Sequence, residues 1–114
     1  MSAERRIALL GQLMERYNAQ DVDGYAGFFA ADGCEATYRG AVLRDGPDGI
    51  RNGYGKVFAE FPENRAEVVQ MIPFAEQIVL QERVSRSPEA EPFDVLAIYS
   101  FDADDKISRV EFVR

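Results

Sequence analysis

The sequence predicts an α+β domain in which three amphipathic helices precede a curved antiparallel sheet. Apolar residues recur at helical spacing in the first half of the chain. After Pro62 the glycines disappear, and extended segments alternate with short turn sequences. The 114 residues suit one domain spanning 1–114, because a chain of this size buries roughly two-thirds of its unfolded surface around a single core.

The helices are predicted from apolar spacing and from their start and stop signals. The first carries one apolar stripe: Ile7, Leu10, Leu13, Met14 and Tyr17. A short second helix is expected to begin at Asp21, whose side chain can cap it, and to end at Asp32. The third is expected between the turn at 46–49 and Pro62.

The strands follow from extended, turn-bounded segments. The segment from Cys34 to Leu43 favours extended structure around Gly40 and predicts a strand or a hairpin. Four further strands are predicted at 65–72, 77–86, 93–101 and 106–114. The linkers between these four have turn chemistry and hairpin length, so we expect neighbouring strands to pair directly.

The strand at 93–101 is apolar at both parities. A sheet with one face in water alternates apolar and polar residues, so this pattern predicts an outer face covered by a second copy of the chain. We therefore expect a homodimer through the sheet face. In this register Phe93, Val95, Ala97 and Tyr99 point inward, and Asp94 points outward.

Composition excludes several classes of function. The net charge of -7, with scattered Lys and Arg, argues against nucleic acid or an anionic membrane as partner. No apolar run approaches the roughly 20 residues of a spanning helix, and we expect a cytoplasmic protein. The chain has no histidine, which rules out Ser-His-Asp and Cys-His catalysis and His-ligated zinc. We expect no metal or cofactor, and Cys34 is interpreted as a packing residue.

Four segments carry a resemblance to a known family: residues 13–17 in the first helix, 25–32, the start of the third helix at 49–51, and 93–113 with Lys106-Ile107 in the last hairpin. Their order and spacing resemble the nuclear transport factor 2-like superfamily, in its SnoaL-like and ketosteroid isomerase-like branch. The resemblance implies a cone-shaped α+β roll over nearly the whole chain.

Few functional residues of ketosteroid isomerase have a counterpart in this sequence. Tyr17 matches its helix tyrosine. The position of its general-base aspartate falls on or near Tyr38, and that of its oxyanion-donating aspartic acid falls on Ala97. Proton abstraction next to a carbonyl needs both a base and a donor, so the chain is not expected to be a steroid isomerase.

Residues 82–85 look like the Glu-Arg-Val-Asp strand motif of the limonene epoxide hydrolase relatives. In those enzymes an arginine and two aspartates share a water and an epoxide, and here at most Arg83 and a carboxylate at Glu111 would remain. The two comparisons imply opposite parities, and both stay open. The isomerase-like register turns Leu80, Glu82 and Val84 inward, whereas the hydrolase-like register turns Gln81, Arg83 and Ser85 inward.

The leading hypothesis is a pocket protein that binds or transforms a small hydrophobic metabolite of polyketide, terpenoid or steroid-like type, without a cofactor. For catalysis, Tyr17 and Arg83 would polarise an oxygen, and Glu82 or Glu111 would act as acid or base. Further pocket-lining candidates are Tyr38, Tyr54, Phe58, Phe93, Ala97, Tyr99 and Phe112. The alternatives are a non-catalytic binder and a dimeric interaction module. In the plainer interpretation, the rings fill the core and Glu82 and Arg83 form ion pairs on a solvated face.

Overall fold

The computed structural model describes residues 3–114, which form three helices and six strands. The helices are α1 (Ala3–Asn18), α2 (Val22–Ala26) and α3 (Gly46–Glu60). The strands are β1 (Phe29–Thr37), β2 (Val42–Asp45), β3 (Arg65–Phe74), β4 (Gln77–Ser85), β5 (Phe93–Phe101) and β6 (Ile107–Val113). The predicted α+β class, with helices packed on a curved sheet, is confirmed.

The sheet is mixed rather than wholly antiparallel. Its strand order is β2-β1-β6-β5-β4-β3. The pair β1–β6 is parallel, with Cys34 opposite Arg109, and the remaining pairs are antiparallel. The expectation of an antiparallel sheet was wrong for this pair because turn sequences specify only hairpins between successive strands. The β1–β6 pairing joins segments far apart in the chain, and no local signal specifies it.

The second helix is shorter than predicted. Asp21 caps α2 as expected, since its Oδ1 accepts a hydrogen bond from the Gly24 amide at 2.9 Å. The helix ends at Ala26, and Phe29 already belongs to β1. The reason is pairing with β6: the Ile107 amide donates to the Phe28 carbonyl at 2.9 Å, so the backbone joins the sheet instead of continuing the helix.

The other elements agree with the sequence expectations to within a few residues. Residues 34–43 fall in the β1–β2 hairpin, and α3 ends two residues before Pro62.

The side chains of β4 alternate as in the isomerase-like register. Leu80, Glu82 and Val84 point inward and are buried, whereas Arg83 is exposed on the outer face.

The concave face of the sheet and the helices enclose the core. Leu10 and Leu13 of α1 pack there, together with Ile50 of α3 and with Ala97 and Tyr99 of β5. Asp94 is exposed on the opposite face, as predicted. None of the described helices is long and apolar enough to cross a membrane. The fold therefore brings inward-facing side chains of the sheet against α1 and α3, which is where the cavity lies.

Candidate functional site

A cavity of about 210 Å³ opens between the concave face of the sheet and the helices α1 and α3. Its apolar walls are Leu43, Val57, Val84, Phe93, Val95 and Phe112. Its polar groups are Tyr17, Arg44, Tyr54, Glu82, Arg86 and Arg114. An apolar cavity with a few convergent polar groups is the usual form of a small-molecule site.

Glu35 of β1 stands behind this cavity at the centre of a closed hydrogen-bond network. Its side chain is fully buried. Its Oε2 accepts from the Tyr25 hydroxyl at 2.9 Å and from the Tyr54 hydroxyl at 3.0 Å. Arg44, its cross-strand partner on β2, donates from Nε to Oε1. Both oxygens of this carboxylate therefore accept hydrogen bonds.

The network also determines the protonation state of its two phenols. Burial, and then the negative charge of Glu35, raise the pKa of Tyr25 and of Tyr54 well above the ordinary value. The Arg44 guanidinium lies 4.7 Å from the centre of the Tyr54 ring, in a cation–π contact. Both phenol protons are donated to Glu35, so these groups hold one another in place and neither hydroxyl proton is free for a ligand.

Glu82 of β4 is the opposite case. Its side chain is only 7% exposed and lines the cavity. Within residues 3–114 it has no hydrogen-bond or ion-pair partner. Burial raises the pKa of this carboxyl to about 7, and the nearby charge of Glu35 adds to the shift. The side chain therefore exchanges its proton near neutral pH and is free to do so with a bound molecule.

Tyr17 of α1 is oriented by a chain of two hydrogen bonds. Arg86 Nη1 donates to Asn64 Oδ1 at 2.9 Å, and Asn64 Nδ2 donates to the Tyr17 hydroxyl at 2.8 Å. Because a guanidinium can only donate, it turns the Asn64 amide so that its NH₂ group faces the phenol. Burial raises the pKa of Tyr17, so the phenol stays protonated at neutral pH. No acceptor for that proton is found in the described part of the chain, and the hydroxyl is available to a ligand oxygen.

The structure brings together several of the residues that the sequence singled out. Tyr17, Glu82, Tyr54, Phe93 and Phe112 line the cavity. Phe58, Ala97 and Tyr99 are buried in the surrounding core and are not among the lining residues.

Three of the expected site residues lie elsewhere. Placing Arg83 beside Tyr17 was wrong, because strand alternation turns it to the outer face, where its Nε lies 2.8 Å from Asp94 Oδ1. Placing Glu111 in the pocket was wrong for the same reason, since its Oε2 accepts from Arg109 Nε at 2.8 Å on the outer side of β6. Tyr38 follows the end of β1 in an exposed turn, with 52% of its surface accessible.

Four functional groups were missed by sequence reasoning: Glu35, Arg44, Asn64 and Arg86. One signal was present for the first pair, since a glutamate among apolar residues falls opposite an arginine once the hairpin turn is placed at 38–41. Asn64 and Arg86 flank strands in connecting segments, and their contact depends on how β3 and β4 meet.

In residues 3–114 no cluster of acidic side chains and cysteine could hold a metal ion.

Comparison with known proteins places the fold in a family. Residues 10–110 match the model of the SnoaL-like domain. The chain belongs to the SnoaL-like domain family. This confirms the resemblance to the nuclear transport factor 2-like superfamily that the sequence carries. A search of the curated proteins found no match.

Solved structures share the architecture of this SnoaL-like domain. An uncharacterised cystatin fold protein from Novosphingobium aromaticivorans is 43% identical, with a TM-score of 0.88 over 96% of this chain and 97% of that one. A protein of Sinorhizobium meliloti provisionally named a polyketide cyclase is 19% identical, with a TM-score of 0.77 over 93% and 94%. A SnoaL-like protein of unknown function from Burkholderia thailandensis is 12% identical, with a TM-score of 0.85 over 99% and 97%. The last two show the fold alone.

Proposed function

We propose that this SnoaL-like domain binds a small hydrophobic metabolite that carries a carbonyl group, and that Glu82 transfers a proton to or from it. The observation that carries the proposal is a buried carboxyl without a partner, in a cavity that also contains a phenol with a free proton. Burying an unpaired carboxyl costs several kcal/mol in principle, and a carboxyl kept in a cavity at that cost is a candidate for a functional group.

The two groups suit proton transfer at a carbon next to a carbonyl. Ionised Glu82 would accept the proton, the electron pair of the broken C–H bond would form the C=C bond of the enolate, and the π pair of the carbonyl would move onto its oxygen. Tyr17 would donate a hydrogen bond to the resulting enolate oxygen. Protonated Glu82 would then return the proton to carbon. A pKa near 7 lets one carboxyl serve as base and then as acid at neutral pH.

The size of the cavity favours a compact ligand. Its volume of about 210 Å³ is below the range of about 300–1,000 Å³ usual for drug-sized ligands. A short polyketide or a one- or two-ring terpenoid suits this space better than a steroid. Ala97 offers no hydrogen-bonding side chain and Tyr38 lies in an exposed turn, so neither reproduces the ketosteroid isomerase acids. The name of the Sinorhizobium meliloti neighbour is consistent with a substrate that carries carbonyl groups.

The test is deuterium exchange at the enolisable carbons of 2-tetralone, a compact bicyclic ketone, followed by NMR in D₂O. We expect the wild-type protein to accelerate exchange above the buffer rate, and Glu82→Gln to lose about 100-fold or more of that acceleration. Arg83→Gln is the matched control, since it changes a charged side chain of the same strand on the outer face. Exchange that Glu82→Gln leaves unchanged would remove the catalytic role.

A non-catalytic binder is the second candidate within the same cavity. It predicts saturable binding of the ketone, seen as chemical-shift changes in both proteins, with exchange at the buffer rate. The Glu35 network supports this alternative, because it makes the floor of the cavity rigid while both of its phenol protons are held by Glu35.

We also propose that two copies pair through the outer sheet face. Ile72, Val79 and Ile98 form one cross-strand row on that face, and Ile72 is well exposed. Ion pairs flank the row at Arg83–Asp94 and Arg109–Glu111. Native mass spectrometry tests the state of the protein, and we expect a dimer that Ile72→Lys converts to monomer. A wild-type monomer at micromolar concentration would contradict the pairing.

A further inference from the structure

We propose that the molecule bound in this cavity carries an acidic group, of carboxylate type, which Arg86 and Arg114 hold. The inference rests on the proposed function, because it assumes that the cavity is a binding site. It adds the charge of the ligand and the residues that recognise it.

Arg86 has binding capacity that the protein does not use. A guanidinium has five N–H donors, and Nη1 of Arg86 donates to Asn64 Oδ1 at 2.9 Å. No carboxylate of the described residues lies within ion-pair distance of this half-buried group. Arg44 in the same cavity is neutralised by Glu35, and Arg83, three residues earlier, by Asp94. An unneutralised arginine is notable in a chain with 20 acidic and 13 basic residues.

A second arginine, Arg114, lines the same cavity. The guanidinium carbon of Arg114 lies 4.4 Å from the centre of the Phe93 ring, and that of Arg86 lies 5.2 Å from the same centre. Both side chains line the cavity. The ring attracts each cation, but it has no net charge, so both guanidinium groups keep their positive charge. An anionic group on a molecule in the cavity would neutralise it.

The chemistry of the two groups favours a carboxylate. The planar guanidinium fork matches two carboxylate oxygens and binds them through paired N–H donors. Phe93 and Phe112 would contact the apolar body of the same molecule. Glu82 does not close the cavity to an anion, because with a pKa of about 7 much of it is protonated at neutral pH.

The test compares two probes of nearly the same shape, 2-naphthoate and its neutral amide, 2-naphthamide, by isothermal titration calorimetry at low salt. We expect wild-type protein to prefer naphthoate by about tenfold or more, the size of one charge-assisted hydrogen bond. Arg86→Gln should abolish the preference while naphthamide still binds, and Arg114→Gln should reduce it. Arg83→Gln should leave it unchanged.

Arg86→Lys guards against a variant that fails to fold, since lysine keeps a donor for Asn64 and the positive charge but loses the planar fork. We expect it to fold and to show a smaller preference than the wild type. Equal affinities of the wild-type protein for the two probes, or a preference that survives in both Arg86 variants, would overturn the acidic ligand and leave the proposed function standing. Binding of neither probe would count against the cavity as a site, and so against both proposals.

Discussion

Two buried glutamates, Glu35 on β1 and Glu82 on β4, face the same interior and differ in everything that surrounds their carboxyl groups. Two phenols and a guanidinium donate hydrogen bonds to Glu35. Glu82 has no partner in the described chain and borders a cavity. The difference shows how one residue type can serve as a structural anchor in one place and as a titrating group in another.

One of the two glutamates also acts on the other. The charge of Glu35 helps to raise the pKa of Glu82, after burial as the main cause. Glu35 therefore contributes to the raised pKa of Glu82 without contacting a ligand itself. Changes at the two positions should have opposite consequences for stability, which can be measured.

The largest effect is expected from Glu35→Ala. The change leaves the Arg44 guanidinium unpaired and two buried hydroxyls without their acceptor, at a cost of about 3–5 kcal/mol in the free energy of unfolding. Urea denaturation followed by circular dichroism measures it. A loss below 1 kcal/mol would show that Glu35 is not a structural anchor, and the contrast with Glu82 would disappear.

The next effect concerns Glu82 and pH. Its pKa is raised from 4.5 to about 7, so the folded state binds more protons than the unfolded state between these values. Stability should therefore fall as pH rises from 4.5 through 7, by about 3 kcal/mol from this group. Glu82→Gln should lack this contribution and be more stable than wild type at pH 8.

The measurement is the free energy of unfolding of both proteins at pH 5 and pH 8. The other carboxyl groups are common to both, so the difference between the two pH dependences isolates Glu82. Identical pH dependences would mean that Glu82 titrates normally and would weaken its proposed role in proton transfer.

A smaller effect is expected from Tyr17→Phe. The ring is kept, but Asn64 Nδ2 loses its acceptor, at a cost of about 1–3 kcal/mol in stability. The affinity for 2-naphthamide should fall about tenfold if the phenol donates to its carbonyl oxygen. Calorimetry at matched folded fractions separates the two losses. Unchanged affinity would show that the hydroxyl serves Asn64 alone.

The smallest effect is expected from Arg83→Gln. Its ion pair with Asp94 is exposed on the outer face, and exposed pairs contribute little. The midpoint of thermal unfolding should stay nearly constant, as should binding of both naphthalene probes. A change in probe affinity as large as that of Arg86→Gln would mean that the outer face communicates with the cavity.

The sequence predicted most of the elements and part of the site. Apolar spacing located α1 and α3, and alternation placed Val95, Ala97 and Tyr99 inward and Asp94 outward. Tyr17 and Glu82 were identified by type and by resemblance. Arg83 and Glu111 were misplaced because a one-residue shift in register moves a side chain to the other face, and local sequence does not specify register.

What the sequence alone determined is the set of elements, the α+β class and the exclusion of histidine chemistry, because propensity, periodicity and residue type are local properties. Only the tertiary structure decided which polar groups meet. The parallel β1–β6 pairing and the inward parity of β4 bring Glu35, Glu82 and Tyr17 into one interior, from segments distant in sequence. Both carboxyls are buried, and they behave differently because Glu35 has hydrogen-bond partners and Glu82 has none in the described chain. Local sequence does not specify which side chains become partners.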